Sequence, residues 1–258
     1  MSDETVFTRK IDTGYREPEV KIDYSDFKKV IDSRRSVRVF SDEVVPDSVI
    51  ENALDDALKA PNSSNLQPWQ FVWVKSSEAK KELAKYCFSQ NGARSANHLI
   101  VCIAKTGTWK EHCALTIKQM EASGADIPDV VRSYYTKLAP SAYGMMGPFG
   151  VFSPIKWLLY NILGITKVMI REPVWPSDLK TWAVKSTALA CENLMLSVRA
   201  QGYDALPMEG FDAKRVRKML KLSCKDHPMM VIGVGQRASN GIYGPQMRFD
   251  KSRFISKV

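Results

Sequence analysis

The sequence predicts one α+β domain spanning residues 1–258, and three observations predict it. Apolar residues recur at helical spacing in several segments, most clearly at Val49, Ile50, Ala53, Leu54, Ala57 and Leu58. Short β-branched runs bounded by turn residues, HLIVCIAKT and MMVIGVG, read as buried strands. No repeat, low-complexity tract or clean linker divides the chain, and 258 residues suffice for one substantial core. A composition 45% hydrophobic and 25% charged excludes disorder and fibrous repeats.

Taken in order, residues 1–22 read as an extended arm. Phe27, Val30 and Ile31 then sit at helical spacing, in a helix that ends at Arg34 and Arg35. In the second helix Pro46, Asp47 and Glu51 suit the first turn, and Pro61 stops it. The turn-rich APNSSNLQPW leads into a strand, QFVWVK, and a polar helix follows from about Ser77 to Tyr86. After HLIVCIAKT comes a helix over TWKEHCALTIKQMEASG. Ser177 or Asp178 can cap a long helix running to about Gln201, rich in small residues and ended by Gly202. ALPMEGFD reads as a loop, followed by a basic helix, the strand MMVIGVG and an irregular tail.

Residues of about 125–175 form an apolar excursion. Its core, PSAYGMMGPFGVFSPIKWLLYNILGITKVMI, is broken by Pro148, Pro154, Gly144, Gly147, Gly150 and Lys156. The uninterrupted apolar part falls well short of the ~20 residues that span a bilayer. Three readings stay open: a lid over a pocket, a dimer contact, or an interfacial membrane patch flanked by Lys156, Lys167 and Arg171.

The net charge is +9, but the basic residues are spread out. Their densest run, Lys214 to Lys221, interleaves Val216, Met219 and Leu220 as a solvated helix does. No nucleic-acid-binding motif accompanies the charge. The five cysteines show no CxxC, and the N-terminus lacks a signal-peptide core, which points to free thiols in a reducing cytoplasm. His98, His112 and His227 lack metal-ligand spacing, so no metal site is expected.

Three strings carry chemistry. Ser33-Arg34-Arg35-Ser36-Val37-Arg38 puts three guanidinium forks and two hydroxyls after a helix, a set that suits a phosphate. Solvated arginines at a helix end are the plainer account. Asn62, Ser63, Ser64, Asn65 and Gln67 offer amides and hydroxyls that can read the edge of a heterocycle, or can bond one another in a turn. In Leu206-Pro207-Met208-Glu209-Gly210-Phe211-Asp212, the rigid Pro207 and the permissive Gly210 can aim a backbone N–H at a ligand, while Asp212 can cap a helix. Gly233-Val-Gly235-Gln-Arg-Ala238 fits GxGxxA but lacks the following helix and strand of a dinucleotide site.

SRRSVRVF, APNSSNLQPWQF and LPMEGFD, in this order, resemble the flavin-site signatures of the nitroreductase family. The resemblance runs from about Tyr24 to Phe254, residues 125–175 excepted. It implies a mostly antiparallel central sheet flanked by helices, an intertwined homodimer, and bound flavin mononucleotide (FMN) with NAD(P)H as co-substrate. Arg34, Arg35 and Ser36 would hold the phosphate and ribityl chain, and Arg38 the N1/O2 edge of the ring. Asn62, Ser63 and Asn65 would reach the flavin from the partner subunit. Pro207 and Met208 would lie on a ring face, with the N–H of Glu209 or Gly210 towards N5. GPQMR resembles a phosphate clasp, with Arg248 as its grip. Gln246 stands where the family often has lysine, and Arg237 is a candidate replacement.

The implied activity is a ping-pong reduction of small electron-poor substrates such as nitroaromatics or quinones, with no side-chain acid required. A reductive dehalogenase, a flavin dehydrogenase or a non-enzymatic FMN sensor on the same scaffold are the alternatives. Tyr134, Tyr135, Tyr143, Phe149 and Trp157 are candidates for an aromatic lid, or for plain core packing.

Overall fold

A computed structural model describes residues 16–124 and 126–258, so most of the expected N-terminal arm lies outside the described residues. Strand β2 (His98–Lys105) runs through the middle of the protein. It pairs antiparallel with β1 (Trp69–Val74) on one side and β4 (Asp226–Gly235) on the other. Strand β3 (Asp204–Met208) closes the far edge, also antiparallel, giving the order β1-β2-β4-β3. The expected α+β class with an antiparallel sheet holds.

Helices cover both faces, which is why β2 reads as a continuous apolar run. Its even side chains, Ile100 and Cys102, meet the long helix α9 (Pro176–Ala200) and α2 (Asp47–Leu58) through Ala190, Cys191, Leu194, Ile50 and Ala53. Its odd side chains, Leu99, Val101 and Ile103, meet Leu83, Ala84 and Cys87 of α3 and its cap, and Val216 of α10. Here α3 is Ser77–Tyr86 and α10 is Ala213–Met219, with α4 (Asn91–Ser95) beside them. The helix-period and strand-period patterns thus bury the same residues from two sides. Burial pushes the Cys87 thiol up to about 11 and raises Cys102 as well, so these cysteines are packing residues.

Several boundaries follow the expected chemistry. The Asp23 side chain caps α1 (Tyr24–Ser33), and Asp212 caps α10 by accepting from the N–H groups of Lys214 and Arg215. At α9, Asp178 reaches back to accept from Val174 and Trp175 at 2.9 and 2.8 Å, with Pro176 in the first turn. Gly202 (φ +91°) ends that helix, as its spacing predicted. Helix α1 buries none of its residues, and Phe27 and Ile31 of its apolar stripe stay exposed.

Three expectations need correction. ALPMEGFD is not all loop, because Asp204–Met208 is a strand. Pro207 is tolerated there because β3 is an edge strand. The last strand begins at Asp226, so it includes Pro228, placed where the β2–β4 register shifts between Cys102 and Ile103. Helix α4 was not anticipated, since five residues carry too little periodicity. Gly233 and Gly235, which mimicked a dinucleotide motif, are explained by packing: a Cβ at Gly235 would press on Phe40 at 2.7 Å.

Asp204, 1% exposed, ties three elements together. It accepts from Arg199 on α9 (2.9 Å) and from two nitrogens of Arg237, just past β4 (2.7 and 2.6 Å). Replacing it strands two guanidiniums that reach solvent only in part. Asp204→Ala is expected to lower unfolding free energy by about 2–3 kcal/mol. Urea denaturation checks this, and an unchanged midpoint contradicts the clamp.

Candidate functional site

The chain following α1 runs beside β3. The N–H of Val37 donates to the Ala205 carbonyl (3.3 Å), and Ser36 forms a parallel bridge with Ala205. The N–H of Arg38 donates to the Gly241 carbonyl (2.7 Å), and that of Ala238 to Val39 (3.1 Å). Arg34 to Arg38 are therefore pinned between the β3 edge and the segment after β4. Among the described residues the Arg34 and Arg38 side chains make no hydrogen bond or ion pair, and Arg38 is exposed. Arg35 is committed elsewhere, its guanidinium donating to the Gly244 carbonyl at 2.6 Å.

Pro207 and Met208 close the same edge, Met208 buried and Pro207 half-buried, and Glu209 and Gly210 continue into solvent. A Cβ on Gly210 would meet only the Gln90 amide, at 3.7 Å, so its outer side is open to a close approach. Two neighbours went unread in the sequence. Gln90 donates to the Gly210 carbonyl (2.9 Å), and Gly92 of α4 packs where a Cβ would overlap Leu206, beside the Arg38 carbonyl. The Asn-Gly pair at 91–92 was the available signal, a turn marker with no apolar period around it.

Asn62, Ser63 and Asn65 lie elsewhere, in the loop entering β1. Strands β2 and β4 separate that edge from β3, a distance of about 14 Å at the usual strand spacing. A single chain therefore does not bring all the predicted residues together. The loop is partly self-bonded: the Asn62 side chain accepts from the Gln67 N–H (2.7 Å) and donates to the Ala60 carbonyl (3.2 Å). Ser64, Asn65 and Gln67 all have positive φ. Ser64, part of the polar string but given no flavin role, bonds Tyr134 (2.6 Å) and Tyr143 (3.2 Å) through its hydroxyl, and its carbonyl accepts from Tyr135 (3.2 Å).

Behind this loop is a cavity of about 670 Å³, whose lining includes Ser63, Ser64, Tyr134, Tyr143, Trp182 and Lys185. The apolar excursion supplies much of its wall. Helices α5 (Trp109–Ala122), α6 (Asp129–Ser133) and α7 (Ala139–Gly144), with a π-turn at Tyr134–Leu138, stack Trp109, Tyr143 and Trp182 into a third apolar cluster. Trp182 is 8% exposed, and its indole N–H has no partner among the described residues. A buried donor without an acceptor beside a cavity suits a ligand oxygen. The five aromatic lid candidates split: Tyr134, Tyr135 and Tyr143 pack inside, while Phe149 and Trp157 point away into solvent.

Arg248 is exposed and donates only to its neighbour Met247 among the described residues. Arg237 is held bidentately by Asp204, which makes it a poor substitute for the missing lysine at Gln246. His98 donates from Nε2 to the Val45 carbonyl if Nδ1 accepts from Trp73, an ordinary structural role.

The family model described as "Nitroreductase family" matches residues 31–236. An oxygen-insensitive NAD(P)H nitroreductase from Enterobacter cloacae is 28% identical over 178 residues, covering 67% of this chain and 70% of that one. The ydfN protein of Bacillus subtilis, assigned as a nitroreductase, superposes with a TM-score of 0.74 at 18% identity, over 91% of this chain and 99% of its own. A protein from Exiguobacterium sibiricum, assigned as a nitroreductase and solved in complex with FMN, gives 0.67 at 22%, over 93% and 99%. The chain belongs to the nitroreductase family.

Lys156, only 2% exposed, stands behind the cavity wall and donates to the Ala142 carbonyl at 2.6 Å. Burial lowers its pKa from the usual 10.5, with Asp178 opposing. A folded-state pKa below the unfolded one costs stability at neutral pH, and the cost fades as pH rises towards 10.5. The stability of wild type relative to Lys156→Met should therefore improve between neutral and alkaline pH. Thermal melts across that range test it, and parallel pH profiles would refute the buried charge.

Proposed function

We propose that this protein is an FMN-dependent NAD(P)H oxidoreductase that works as a homodimer on small electron-poor acceptors. The observation that carries the reading is the division of the predicted flavin contacts between opposite sheet edges. Arg34, Ser36, Arg38 and Pro207 to Gly210 lie at the β3 edge; Asn62, Ser63 and Asn65 lie at the β1 edge beside the cavity. Two chains related by a twofold axis, each setting its β3 edge against the other's β1 edge, would complete two equivalent sites. The exposed apolar residues of α1 (Phe27, Ile31) and of the C-terminal tail (Met247, Phe249, Phe254, Ile255) support such an assembly.

The residues present fit FMN. Arg34 has an unengaged guanidinium for a phosphate, and Ser36 a hydroxyl next to it. Arg248, in the exposed C-terminal tail, would be a further phosphate contact, as the family resemblance implies. Gly210 leaves its outer side open for a planar ring and the half-buried Pro207 offers an apolar surface, whereas Met208 packs in the core. When bound, FMN would accept hydride from NAD(P)H and pass it on to the acceptor. The chain's own part is positional and electrostatic: Arg38 places positive charge where negative charge develops. The cavity takes the two substrates in turn, in a ping-pong order, and the Trp182 N–H and Ser64 cluster hold an acceptor oxygen.

The purified protein should be yellow, and its flavin bands should bleach anaerobically with NADPH or NADH. A protein that cannot be reconstituted with FMN contradicts the reading, and one that never bleaches favours a sensor. Arg34→Ala should lose FMN on dialysis, while Arg38→Ala should keep it but bleach about tenfold or more slowly. Light scattering should give the mass of two chains, and a monomer would remove the composite site.

A further inference from the structure

Helix α8 (Ser153–Leu163), beyond α7, is built inside out. Its two buried residues are Ser153 and Lys156, and the Lys156 ammonium is turned inward to Ala142. Its outer face shows Ile155, Trp157, Leu158, Leu159 and Ile162, each between 41% and 66% exposed. The flanks extend this face: Phe149 is fully exposed, and Val151 and Ile165 more than half, while Val168 and Ile170 belong to the cavity lining. A soluble helix places its polar residues outward. Here the single charge of α8 is withdrawn, which leaves the outer face uncharged over its whole length.

The charge along this stretch of sequence is one-sided, with Glu172 and Asp178 lining the groove beside Trp157 at its end. Between Asp129 and Glu172 the sequence carries Arg132, Lys137, Lys156, Lys167 and Arg171, and no acid. Arg132 is paired with Glu121, and Arg171 braces the end of α8 through Asn161 and Gly164. Lys137 and Lys167 are exposed and unpaired among the described residues.

We infer that the α8 face docks on an anionic lipid leaflet, lying in the interface plane rather than crossing it. Eleven helical residues span only about 16 Å, and no described helix is long and apolar enough to cross a membrane. An uncharged apolar helix face with the exposed Lys167 just past its end, on a chain of net charge +9, is the chemistry of an interfacial helix. A second copy of the chain fits this face less well. Contact with a second copy would bring the exposed Lys167, two residues from the exposed Ile165, against another chain of net charge +9. The apolar residues of α1 and the tail differ in this respect, since Asp26, Asp32 and Asp250 are interleaved with them.

The test is flotation of the full-length protein with vesicles of phosphatidylcholine alone or mixed with phosphatidylglycerol. The wild type should float with the anionic vesicles and leave them as salt is raised. Leu158→Asp with Ile162→Asp, both at exposed positions, should reduce vesicle binding on the order of tenfold, with circular dichroism and solution mass unchanged. Lys167→Glu should weaken binding to anionic vesicles only. Wild type that stays unbound, or a double variant that floats equally well, would overturn the inference. A double variant of halved mass would instead make this face an interface between copies. None of these readouts depends on flavin, so they stand apart from the test of the proposed activity.

Discussion

The close approach of α9 to the middle of the sheet is the contact on which everything else is arranged. Ala183, Ala190 and Cys191 keep that face of the helix shallow, so Ile100, Cys102 and Ile232 can meet it without a gap. A wider helix there would lift α2 and the cavity wall away from β1. Removing any one of these residues opens a void in a region packed at crystal-like density, where lost contacts are felt at once. Because α9 also carries Trp182, Lys185 and Ser186, the core packing sets the position of the cavity lining. The Asp204 clamp then fastens the far end of α9 to β3, the strand that bears Pro207 and Met208.

The sheet acts as a spacer between two sets of polar groups. One set, at the β3 edge, is held by backbone pairing of Ser36 to Val39 with β3 and with the segment after β4. The other, at the β1 edge, is held by the Ser64 hydroxyl and two tyrosines. Each set is pre-organised within its own chain, yet neither is a complete pocket for a planar cofactor. Under the proposed function, that division would make assembly part of the chemistry, with the local geometry of each half settled before association.

The apolar excursion plays a structural role on one side and leaves an unusual surface on the other. Inward, its tyrosines fill the space between the APNSSNLQPW loop and α9. Outward, α8 spends a buried lysine to keep charge off its exposed face. The Lys156 ammonium, with the Ala142 carbonyl at 2.6 Å and the Tyr160 ring centroid at 5.4 Å as its neighbours, is held there at a cost in desolvation. The uncharged outer face is the visible result.

How much of this was legible in the sequence follows from the range of each interaction. Local chemistry was readable: the helices over Asp47–Leu58 and Pro176–Ala200, the Asp212 cap, the Gly202 stop and the doubly buried β2 all rest on spacing and capping within a few residues. The three motif strings were also readable as sets of donors. Other features depend on contacts between distant residues, and the sequence does not display those. That β3 is an edge strand able to carry Pro207, that Arg237 is engaged by Asp204, and that Gly235 makes room for Phe40 were decided by tertiary packing. So was the splitting of the aromatics, Tyr143 inward and Phe149 outward, since hydrophobicity alone does not say which side of a helix faces the core. The sequence by itself determined the elements and the chemical groups; the tertiary structure decided which groups meet, because sheet order and helix facing are fixed only when the whole core closes.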